Sequence, residues 1–362
     1  MPRINAAVCR QFGQPLEIEQ VDLAAPASGE IRVAVKACAI CHSDIMYIDG
    51  HWGGELPAVY GHEAAGIVES VGPNVTGIDA GDHVIVTLIR SCGDCHFCRK
   101  QQDYLCETTF ALDNASPLSA ENGTAIQHGL RTGAFAEQVV VEASQVSVIP
   151  KQMSFDAASL LACGVITGLG AVWNTAQVPA ESSVVVVGCG GVGLNAIQGA
   201  KLIEASPVIA VDIADAKLDA ARSFGATHVV NSATEDLTAS VLGLTAGRGA
   251  DFVFVTVGAK TAMDASMALL AAGGTAVVVG MPATGVVAEY DPGDVAARSQ
   301  RIIGSKMGSS RVRADIPRLV ERYRHGELKL DELISGRYPL NQINEAIAEV
   351  KTGSALRNVI VF

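Results

Sequence analysis

A run of four valines that leads into a glycine-rich turn constrains the fold of this chain more than any other feature. The valines are Val184–Val187, the turn is Gly-Cys-Gly-Gly-Val-Gly at residues 188–193, and a helical pattern follows to about residue 202. Glycines permit the tight turn and let backbone N–H groups approach a pyrophosphate at the helix N-terminus. This order of strand, turn and helix predicts a dinucleotide-binding unit.

An acidic residue stands where the second strand of such a unit would end. Asp212 follows the apolar run 208–211 and lies 24 residues beyond Gly188. Its carboxylate can accept hydrogen bonds from adenosine ribose hydroxyls, and it would repel a 2′-phosphate. The predicted cofactor is therefore NAD rather than NADP. The competing interpretation is a glycine-rich packing turn that happens to precede a surface aspartate.

The pattern of predicted elements changes near residue 150. Short β-type runs separated by Gly and Pro come first, and they predict a barrel-like or sandwich-like β domain. These runs are residues 31–37, 66–70, 83–88, 137–141 and 145–149. A helical stretch at 154–175 then precedes apolar strands that alternate with helices, which indicates a doubly wound parallel sheet. A chain of 362 residues is also too long for one compact core, so we expect two domains.

The composition excludes several classes of protein. The formal net charge is -12, and an acidic surface repels nucleic acid on average. The apolar runs are far shorter than a membrane span, and the N-terminal segment lacks the apolar core of a signal peptide. Neither nucleic acid nor a membrane is an expected partner, and we predict a cytoplasmic protein.

Four of the nine cysteines crowd into one segment with the spacing of a metal site. They are Cys92, Cys95, Cys98 and Cys106. Four thiolates close a tetrahedral shell around Zn²⁺ and leave no open position, so the predicted role is structural. An iron–sulfur cluster is one competing interpretation, but the last spacing is longer than in bacterial ferredoxins and lacks their following proline. Four unligated thiols are the other.

Further candidate ligands are scattered along the chain at Cys41, His62 and Cys163. Three protein ligands with one open position are typical of a catalytic zinc. From the residues alone, the three side chains need not meet. Taken alone, a cysteine such as Cys163 is more often a small core residue than a ligand, and a histidine such as His62 is more often an ordinary core or surface residue.

Five segments in a constant order give the chain a family resemblance. They are Cys-His-Ser-Asp at 41–44, Gly-His-Glu at 61–63, the four-cysteine segment, the glycine-rich turn and Leu-Arg-Asn-Val-Ile-Val-Phe at 356–362. Over essentially its whole length the sequence resembles the zinc-containing alcohol dehydrogenases of the medium-chain dehydrogenase/reductase superfamily. The resemblance implies a GroES-like, β-rich catalytic domain at residues 1–164 and 307–362, and a Rossmann NAD-binding domain at residues 165–306.

The resemblance also implies roles for individual residues of the catalytic domain. The implied ligands of a catalytic zinc are Cys41, His62 and Cys163. Asp44 resembles the carboxylate that orients His62, and Glu63 the acidic residue behind the metal that can transiently coordinate it. Ser43 resembles the hydroxyl that receives the substrate proton, although Ser43 also suits a helix N-cap.

A second set of residues is implied to contact NAD. The set comprises His42, Thr167, Gly188, Gly190, Gly191, Val192, Gly193, Asp212, Lys217, Val257 and Arg357. By resemblance, His42 and Arg357 reach the pyrophosphate, Thr167 and Val192 lie beside the nicotinamide, and Lys217 binds the adenosine ribose. The alternative for Lys217 and Arg357 is a solvated surface cation.

One position departs from the family pattern. Many relatives have a histidine five residues after the first cysteine ligand, where it passes the substrate proton toward solvent. This chain has Met46, which cannot accept a proton. His51 is a nearby substitute or an ordinary loop residue, and Trp52 is a pocket aromatic or a loop-packing residue.

The implied reaction is reversible oxidation of a primary or aromatic alcohol to an aldehyde or ketone, with hydride transfer to NAD and two zinc ions per chain. Some relatives instead act on S-hydroxymethyl thiol adducts, or keep NAD tightly bound. Polyol dehydrogenases are another alternative, but they commonly lack a cysteine at the position of Cys163. A non-catalytic zinc- and NAD-binding protein is the alternative from a different class. A homo-oligomer, dimeric or tetrameric, is expected.

Overall fold

The computed structural model describes residues 2–362, which form two compact units. The first unit runs up to Cys163 and resumes as Arg311–Phe362, and the second is Gly164–Ser310. The domain boundaries expected from the sequence, after residues 164 and 306, differ from these by one and four residues. Within residues 2–362, no helix is long and apolar enough to cross a membrane.

Residues 2–362 contain eighteen β-strands and twelve α-helices. The strands are β1 Arg3–Cys9, β2 Glu17–Leu23, β3 Glu30–Ala39, β4 Ala58–Val59, β5 Glu63–Val71, β6 His83–Val86, β7 Leu118–Ser119, β8 Ala125–His128, β9 Gln138–Glu142, β10 Val146–Val148, β11 Val184–Val187, β12 Val208–Asp212, β13 His228–Asn231, β14 Ala250–Val255, β15 Leu270–Val278, β16 Arg301–Gly304, β17 Ile334–Pro339 and β18 Arg357–Val361. The helices are α1 His42–Ile48, α2 His96–Arg99, α3 Ala111–Asn114, α4 Phe155–Leu160, α5 Gly164–Gly170, α6 Gly191–Leu202, α7 Asp215–Phe224, α8 Leu237–Leu244, α9 Lys260–Ala265, α10 Pro292–Ala297, α11 Val312–Arg324 and α12 Ile343–Thr352.

The first unit contains a closed barrel and a larger sheet. The barrel order is β1-β2-β7-β8-β4, and β4 returns to pair with β1. The larger sheet has the order β10-β6-β5-β3-β18-β17, with β9 also paired to β3. Side chains along β3 alternate between full and partial burial, because one face of a strand packs on the core and the other faces outward. These sheets confirm the predicted β-rich architecture.

The second unit is built on one parallel sheet with the order β13-β12-β11-β14-β15-β16. All its strand pairs are parallel, and β11 lies inside the sheet between β12 and β14. The four valines of β11 are buried, three of them completely, because helices cover such a strand on both faces. The order reverses at β11, where chain connections run to opposite sides of the sheet. The doubly wound fold expected from the sequence is confirmed.

The structure corrects two of the predicted helices. The helix expected over 154–175 is interrupted, because α4 ends at Leu160 and α5 begins at Gly164. The final bonds of α4 run from Leu161 N to Ala158 O and from Ala162 N to Ser159 O, a tighter pattern that ends the helix just before Cys163. The alternation of strands and helices in the sequence also predicts a helix over 261–271, but α9 ends at Ala265 and β15 has begun by Leu270.

Candidate functional site

The first functional residues lie where β3 passes into α1. Cys41 is the N-cap residue of α1, and its backbone N–H donates to Asp44 Oδ2 at 3.1 Å. This carboxylate therefore caps the helix in place of Ser43, which lies in its first turn. Asp44 is completely buried, and a buried carboxyl group needs such hydrogen bonds in place of those it would make to water.

The same carboxylate orients His62, the residue just before β5. Asp44 Oδ1 accepts hydrogen bonds from Gly61 N and from Nδ1 of His62, each at 2.9 Å. His62 is completely buried, and within residues 2–362 its Nε2 has no hydrogen-bond partner. Gly61 has a φ of 92°, a left-handed conformation that suits glycine. The turn before β5 thus presents Nε2 of His62 as a ligand atom.

Two thiols and a second carboxylate meet His62. One potential ligand atom from each of Cys41, His62, Glu63 and Cys163 lies within 4.8 Å of the others, and all four residues are buried. Cys163 reaches this group because α4, directly before it, packs on β3 and β5. All four residues belong to the first unit. The structure therefore brings together the three zinc ligands that the family resemblance implied.

The donor chemistry of this group fits Zn²⁺. Two sulfurs and one imidazole nitrogen are the ligands of one class of catalytic zinc site, and the Asp44–Nδ1 hydrogen bond is the usual support for a metal-binding histidine. The adjacent Cys163 thiol holds the pKa of Cys41 well below its usual value. The hydrogen bond between the two thiols, together with burial, raises the pKa of Cys163. One thiolate is thus favoured even before a metal ion binds.

Glu63 forms a buried ion pair with Arg357 of β18. Burial raises the pKa of Glu63 to about 7, while the Arg357 guanidinium acts in the opposite direction. The Arg357 side chain is only 7% exposed, so it is not the solvated surface cation that the sequence left open. Its implied contact with a pyrophosphate stays a prediction.

The four-cysteine segment forms a second group of thiols. The Cys92–Cys98 and Cys95–Cys106 sulfur pairs are each 3.9 Å apart. A zinc–sulfur bond of about 2.3 Å gives a tetrahedron with edges of about 3.8 Å, so this spacing fits one Zn²⁺. The N–H groups of Asp94 and Cys95 donate to Cys92 Sγ at 3.4 and 3.2 Å, which favours a thiolate.

The glycine-rich turn lies in the second unit, between β11 and α6. A Cβ on Gly193 would stand 1.8 Å from Gly188 O, and a Cβ on Gly188 would stand 2.3 Å from Val257 Cγ1. These two positions therefore exclude any larger residue. A Cβ on Gly190 would meet nothing within 4 Å, so the space beside the N-cap of α6 is open. An open space at a helix N-terminus fits the pyrophosphate of a dinucleotide.

Asp212 ends β12 beside this turn. Its Oδ2 accepts a hydrogen bond from Cys189 N at 2.7 Å, and its Oδ1 accepts from Ile213 N at 2.8 Å. Lys217 follows in the first turn of α7. The backbone amides hold the carboxylate at the end of β12, which is where the sequence predicts that the adenosine ribose of NAD binds.

Two further implied cofactor residues lie at the contact between α5 and α6. A Cβ on Gly168 would stand 2.3 Å from Val192 O, so these two helices approach each other closely. This contact brings Thr167 of α5 near Val192 of α6, both within the second unit. His42, Ser43 and Arg357 lie in the first unit instead.

The residues around the missing relay histidine form a small aromatic group. The Trp52 ring meets Tyr47 edge-on at 5.2 Å, and Tyr47 stacks on Tyr60 at 5.7 Å. Trp52 thus packs on Tyr47, and its role as a pocket aromatic stays a prediction. His51 is exposed and bonds Met46 only through its backbone N–H, at 2.9 Å. No sequence motif marks Tyr47 or Tyr60, because their rings are brought together only by the fold.

Two family models match most of the chain. Residues 27–151 match a model described as the alcohol dehydrogenase GroES-like domain. Residues 191–324 match a model described as zinc-binding dehydrogenase. The first match contains His62 and the four-cysteine segment, and the second begins at Gly191, in the middle of the glycine-rich turn.

Individual relatives match from end to end. Alcohol dehydrogenase class-3 of Oryza sativa subsp. japonica is 37% identical, over 98% of this chain and 96% of its own. The crystal structure of benzyl alcohol dehydrogenase from Acinetobacter calcoaceticus covers 100% of both chains with a TM-score of 0.93 and 32% identity. An alcohol dehydrogenase zinc-binding domain protein from Burkholderia ambifaria gives a TM-score of 0.95 and 34% identity, over 100% of this chain and 99% of its own.

Proposed function

The chain belongs to the zinc-dependent alcohol dehydrogenases of the medium-chain dehydrogenase/reductase superfamily, and we propose that it oxidises a primary or aromatic alcohol with NAD. It is an oxidoreductase that uses zinc and a nicotinamide dinucleotide. The aromatic part of the proposal draws on the similarity to benzyl alcohol dehydrogenase.

The main support for this proposal is the buried imidazole of His62. Nε2 of His62 is buried without a hydrogen-bond partner among residues 2–362, in the same group as the thiols of Cys41 and Cys163. A buried polar atom without a partner is unfavourable, and a metal ion removes that cost. Three ligands leave one position of a tetrahedral zinc for the substrate, which is the requirement for catalysis.

The residues around the metal set supply the rest of the chemistry. Zinc bound there supplies a Lewis acid that makes an alcohol hydroxyl more acidic, and NAD supplies the hydride acceptor. Asp44 holds His62 in the tautomer that presents Nε2. We propose that Ser43 receives the proton of the alcohol. Because Met46 cannot accept it, the proton then leaves through water or through another group.

The preference for NAD is assigned to Asp212. Its carboxylate is held at the end of β12 by backbone amides, and a negative charge there disfavours the 2′-phosphate of NADP. The glycines at 188, 190, 191 and 193, with Val192, Val257, Thr167 and Lys217, are the proposed cofactor contacts of the second unit. His42 and Arg357 are those of the first.

A panel of primary, secondary and aromatic alcohols tests the function, with NADH absorbance as the signal. Aromatic or primary alcohols are expected to give NADH, in proportion to the zinc content. Parallel assays with an added thiol and formaldehyde test S-hydroxymethyl substrates. The variant Cys163→Ser is expected to lose turnover and one zinc, whereas Cys9→Ser removes a thiol outside both metal groups and keeps both zinc ions. No NADH from any alcohol would refute the proposal.

An open sheet edge and nearby apolar side chains support a homo-oligomer, either dimer or tetramer. β16 is the last strand of the parallel sheet, and Ile302 on it is 43% exposed. Met281, Val287 and Tyr290 precede this strand and are 65, 70 and 55% exposed. We propose that a second copy covers this edge, since unpaired edges and exposed apolar patches favour association. Light scattering should show a smaller species for Ile302→Lys; an unchanged mass would contradict the proposal.

The proposed location is the cytoplasm. Both metal groups need thiols that are not oxidised, and within residues 2–362 the cysteines form no disulfide. Expression with a tag, followed by cell fractionation, tests this location directly.

A further inference from the structure

Arg90 is the largest completely buried side chain in residues 2–362, and none of the roles proposed above uses it. It lies in the first unit, between β6 and the four-cysteine segment. A buried cation is strongly destabilising unless hydrogen bonds and a counter-charge surround it. The partners of Arg90 therefore indicate what its burial achieves.

The guanidinium has four partners, which come from three separate segments. Nε donates to Gln145 Oε1 at 2.8 Å, and Nη1 donates to Asp113 Oδ1 at 2.7 Å. Nη2 donates to the carbonyl oxygen of Arg131 at 3.1 Å and lies 3.1 Å from Nε2 of His128. Such a planar group with several fixed donors holds its acceptors in a defined geometry.

The histidine in this group acts as an acceptor. Burial, together with the neighbouring Arg90 charge, lowers the pKa of His128 to about 4, so the ring is neutral near pH 7. Its Nε2 then accepts from Arg90, and its Nδ1 donates to Ser116 Oγ at 3.3 Å. The contact between Arg90 and His128 is therefore a hydrogen bond and not a repulsion between two cations.

Arg90 binds a strained turn. Leu130 and Arg131 have φ values of 54° and 62°, which place two consecutive non-glycine residues in the left-handed region. Side chains disfavour that region, so surrounding contacts must hold the backbone there. The Arg131 carbonyl oxygen accepts from Arg90 and also from Gln145 Nε2, the latter at 3.1 Å. The hydrogen bonds from Arg90 and Gln145 hold the turn in this left-handed conformation.

The end of the turn hydrogen-bonds to the backbone of the two residues just before His62. Ala134 N donates to Gly61 O, and Phe135 N donates to Tyr60 O, each at 2.8 Å. A Cβ on Gly61 would stand only 2.6 Å from Phe135 N, so the backbones of Gly61 and Phe135 pack directly on each other with no room for a side chain at residue 61. A shift of residues 129–135 must therefore move Gly61.

Gly61 in turn shares an acceptor with the metal ligand. Its N–H donates to Asp44 Oδ1, the same oxygen that holds Nδ1 of His62. Displacement of Gly61 would therefore alter both the position of Asp44 and the orientation of the imidazole. A continuous series of hydrogen bonds and close contacts connects Arg90 to His62.

We propose that Arg90 is a positioning residue for the metal ligand His62, which it acts on through the strained turn at 129–135 and through Gly61. This proposal rests on the proposed function only in taking His62 as a zinc ligand. It concerns the affinity and geometry of the metal set rather than the identity of the substrate.

Arg90→Lys tests the proposal, because lysine keeps the charge and loses the planar donors. Zinc affinity is measured by competition with a chromogenic chelator. The absorption spectrum of the Co²⁺-substituted protein reports the ligand geometry of the Cys41–His62–Cys163 set. We expect about tenfold weaker zinc binding at that set, as for other residues that orient a metal ligand, and an altered cobalt spectrum. Arg10→Lys, which breaks an exposed arginine pair with Glu19, is the matched control and should change neither.

A rescue variant separates positioning from general stability. Glycine adopts a positive φ without strain, so Leu130→Gly should relax the turn and restore several-fold of the zinc affinity lost in Arg90→Lys. Ala246→Gly removes a similar left-handed alanine, with φ of 52°, in the second unit and should restore nothing. Equal rescue by both glycines, or unchanged zinc affinity and cobalt spectrum in Arg90→Lys, would overturn the proposal.

A second variant covers the case in which Arg90→Lys does not fold. Gln145→Asn shortens the other side chain that binds the Arg131 carbonyl, and it should weaken zinc binding in the same direction; an unchanged affinity would overturn the proposal. None of these measurements needs alcohol turnover. A protein that binds zinc through His62 and oxidises no tested alcohol would refute the proposed function and leave this inference standing.

Discussion

Asp44 and His62 form a completely buried pair in which Oδ1 of the carboxylate accepts a hydrogen bond from Nδ1 of the imidazole at 2.9 Å. Because Nδ1 is the donor, Nε2 is the nitrogen left to bind a metal ion. The same carboxylate caps α1 through Cys41 N. One side chain thus organises two of the three proposed zinc ligands.

Replacement of Asp44 by Asn should weaken zinc binding at the Cys41–His62–Cys163 set by about 10- to 100-fold, the range found when such supporting carboxylates are lost. An amide is neutral and orients the imidazole less strongly. Chelator competition measures the affinity. Asp49→Asn is the control, because Asp49 is a partly exposed carboxylate of the same region that pairs with Lys351 and lies outside both metal groups. Equal affinities in the two variants would show that Asp44 does not support the metal.

Cys95→Ala should remove one of two zinc ions per chain and lower the free energy of unfolding by about 4 kcal/mol or more, as expected when a structural metal is lost. The remaining zinc should stay at the other set. Metal analysis and urea unfolding measure the two effects. Cys9→Ala truncates a buried thiol outside both groups and serves as the control. Retention of both ions by Cys95→Ala would contradict the four-cysteine site.

Asp212→Asn should raise the KM for NAD about tenfold or more, because a hydrogen bond to a charged acceptor is worth about 1.5–3 kcal/mol. It should also narrow the preference for NAD over NADP, since the charge that repels a 2′-phosphate is gone. KM values for both cofactors, at saturating alcohol, provide the measurement. Asp219→Asn removes an exposed carboxylate of α7 and should leave both KM values unchanged. If Asp212→Asn keeps the same preference for NAD over NADP, residues other than Asp212 determine the choice of cofactor.

His128 should make stability depend on pH. Its pKa is lowered to about 4 in the folded protein by burial, from about 6.5 in an unfolded chain. The unfolded state therefore binds more protons, and stability falls as the pH drops from about 6.5 through about 4. The full effect is at most about 3.5 kcal/mol, at about 1.4 kcal/mol for each unit of pKa.

A second buried group acts against His128 in the same interval. Burial raises the pKa of Glu142 to about 7, so this carboxyl destabilises the fold as the pH rises from about 4.5 to about 7. The test is therefore a difference between variants in urea unfolding at pH 7.5 and pH 5. His128→Asn should lose less stability on acidification than the parent protein, and Glu142→Gln should lose more. Identical losses in all three proteins would contradict both assignments.

Several features of the site followed from local sequence. The spacing of Cys92, Cys95, Cys98 and Cys106 predicts a four-thiolate group, and the structure brings these sulfurs together. The glycine at 193 is required by a close contact with Gly188 O inside the same turn. Such features depend on short-range geometry, and this is why the chain order of residue types was enough to locate them.

The burial of Arg90 and several elements of the fold are not marked by any local sequence pattern. Nothing near Arg90 in the sequence marks it as completely buried, because its partners Asp113, His128 and Gln145 come from three later segments. The strands β1 and β2 and the helix α1 were likewise not predicted. Their burial depends on barrel closure and on sheet contacts between residues far apart in the chain.

The sequence by itself determined the two-domain architecture, the glycine-rich turn and the four-cysteine group, since each depends on hydrophobic periodicity or on ligands within a short span. Only the tertiary structure decided that Cys41, His62 and Cys163 meet, and that Asp44 and not Ser43 caps α1. It also decided that α4 ends just before Cys163. The physical reason is that a buried ligand set depends on how β3, β5 and α4 pack together, and packing between distant segments leaves no periodic pattern in the chain.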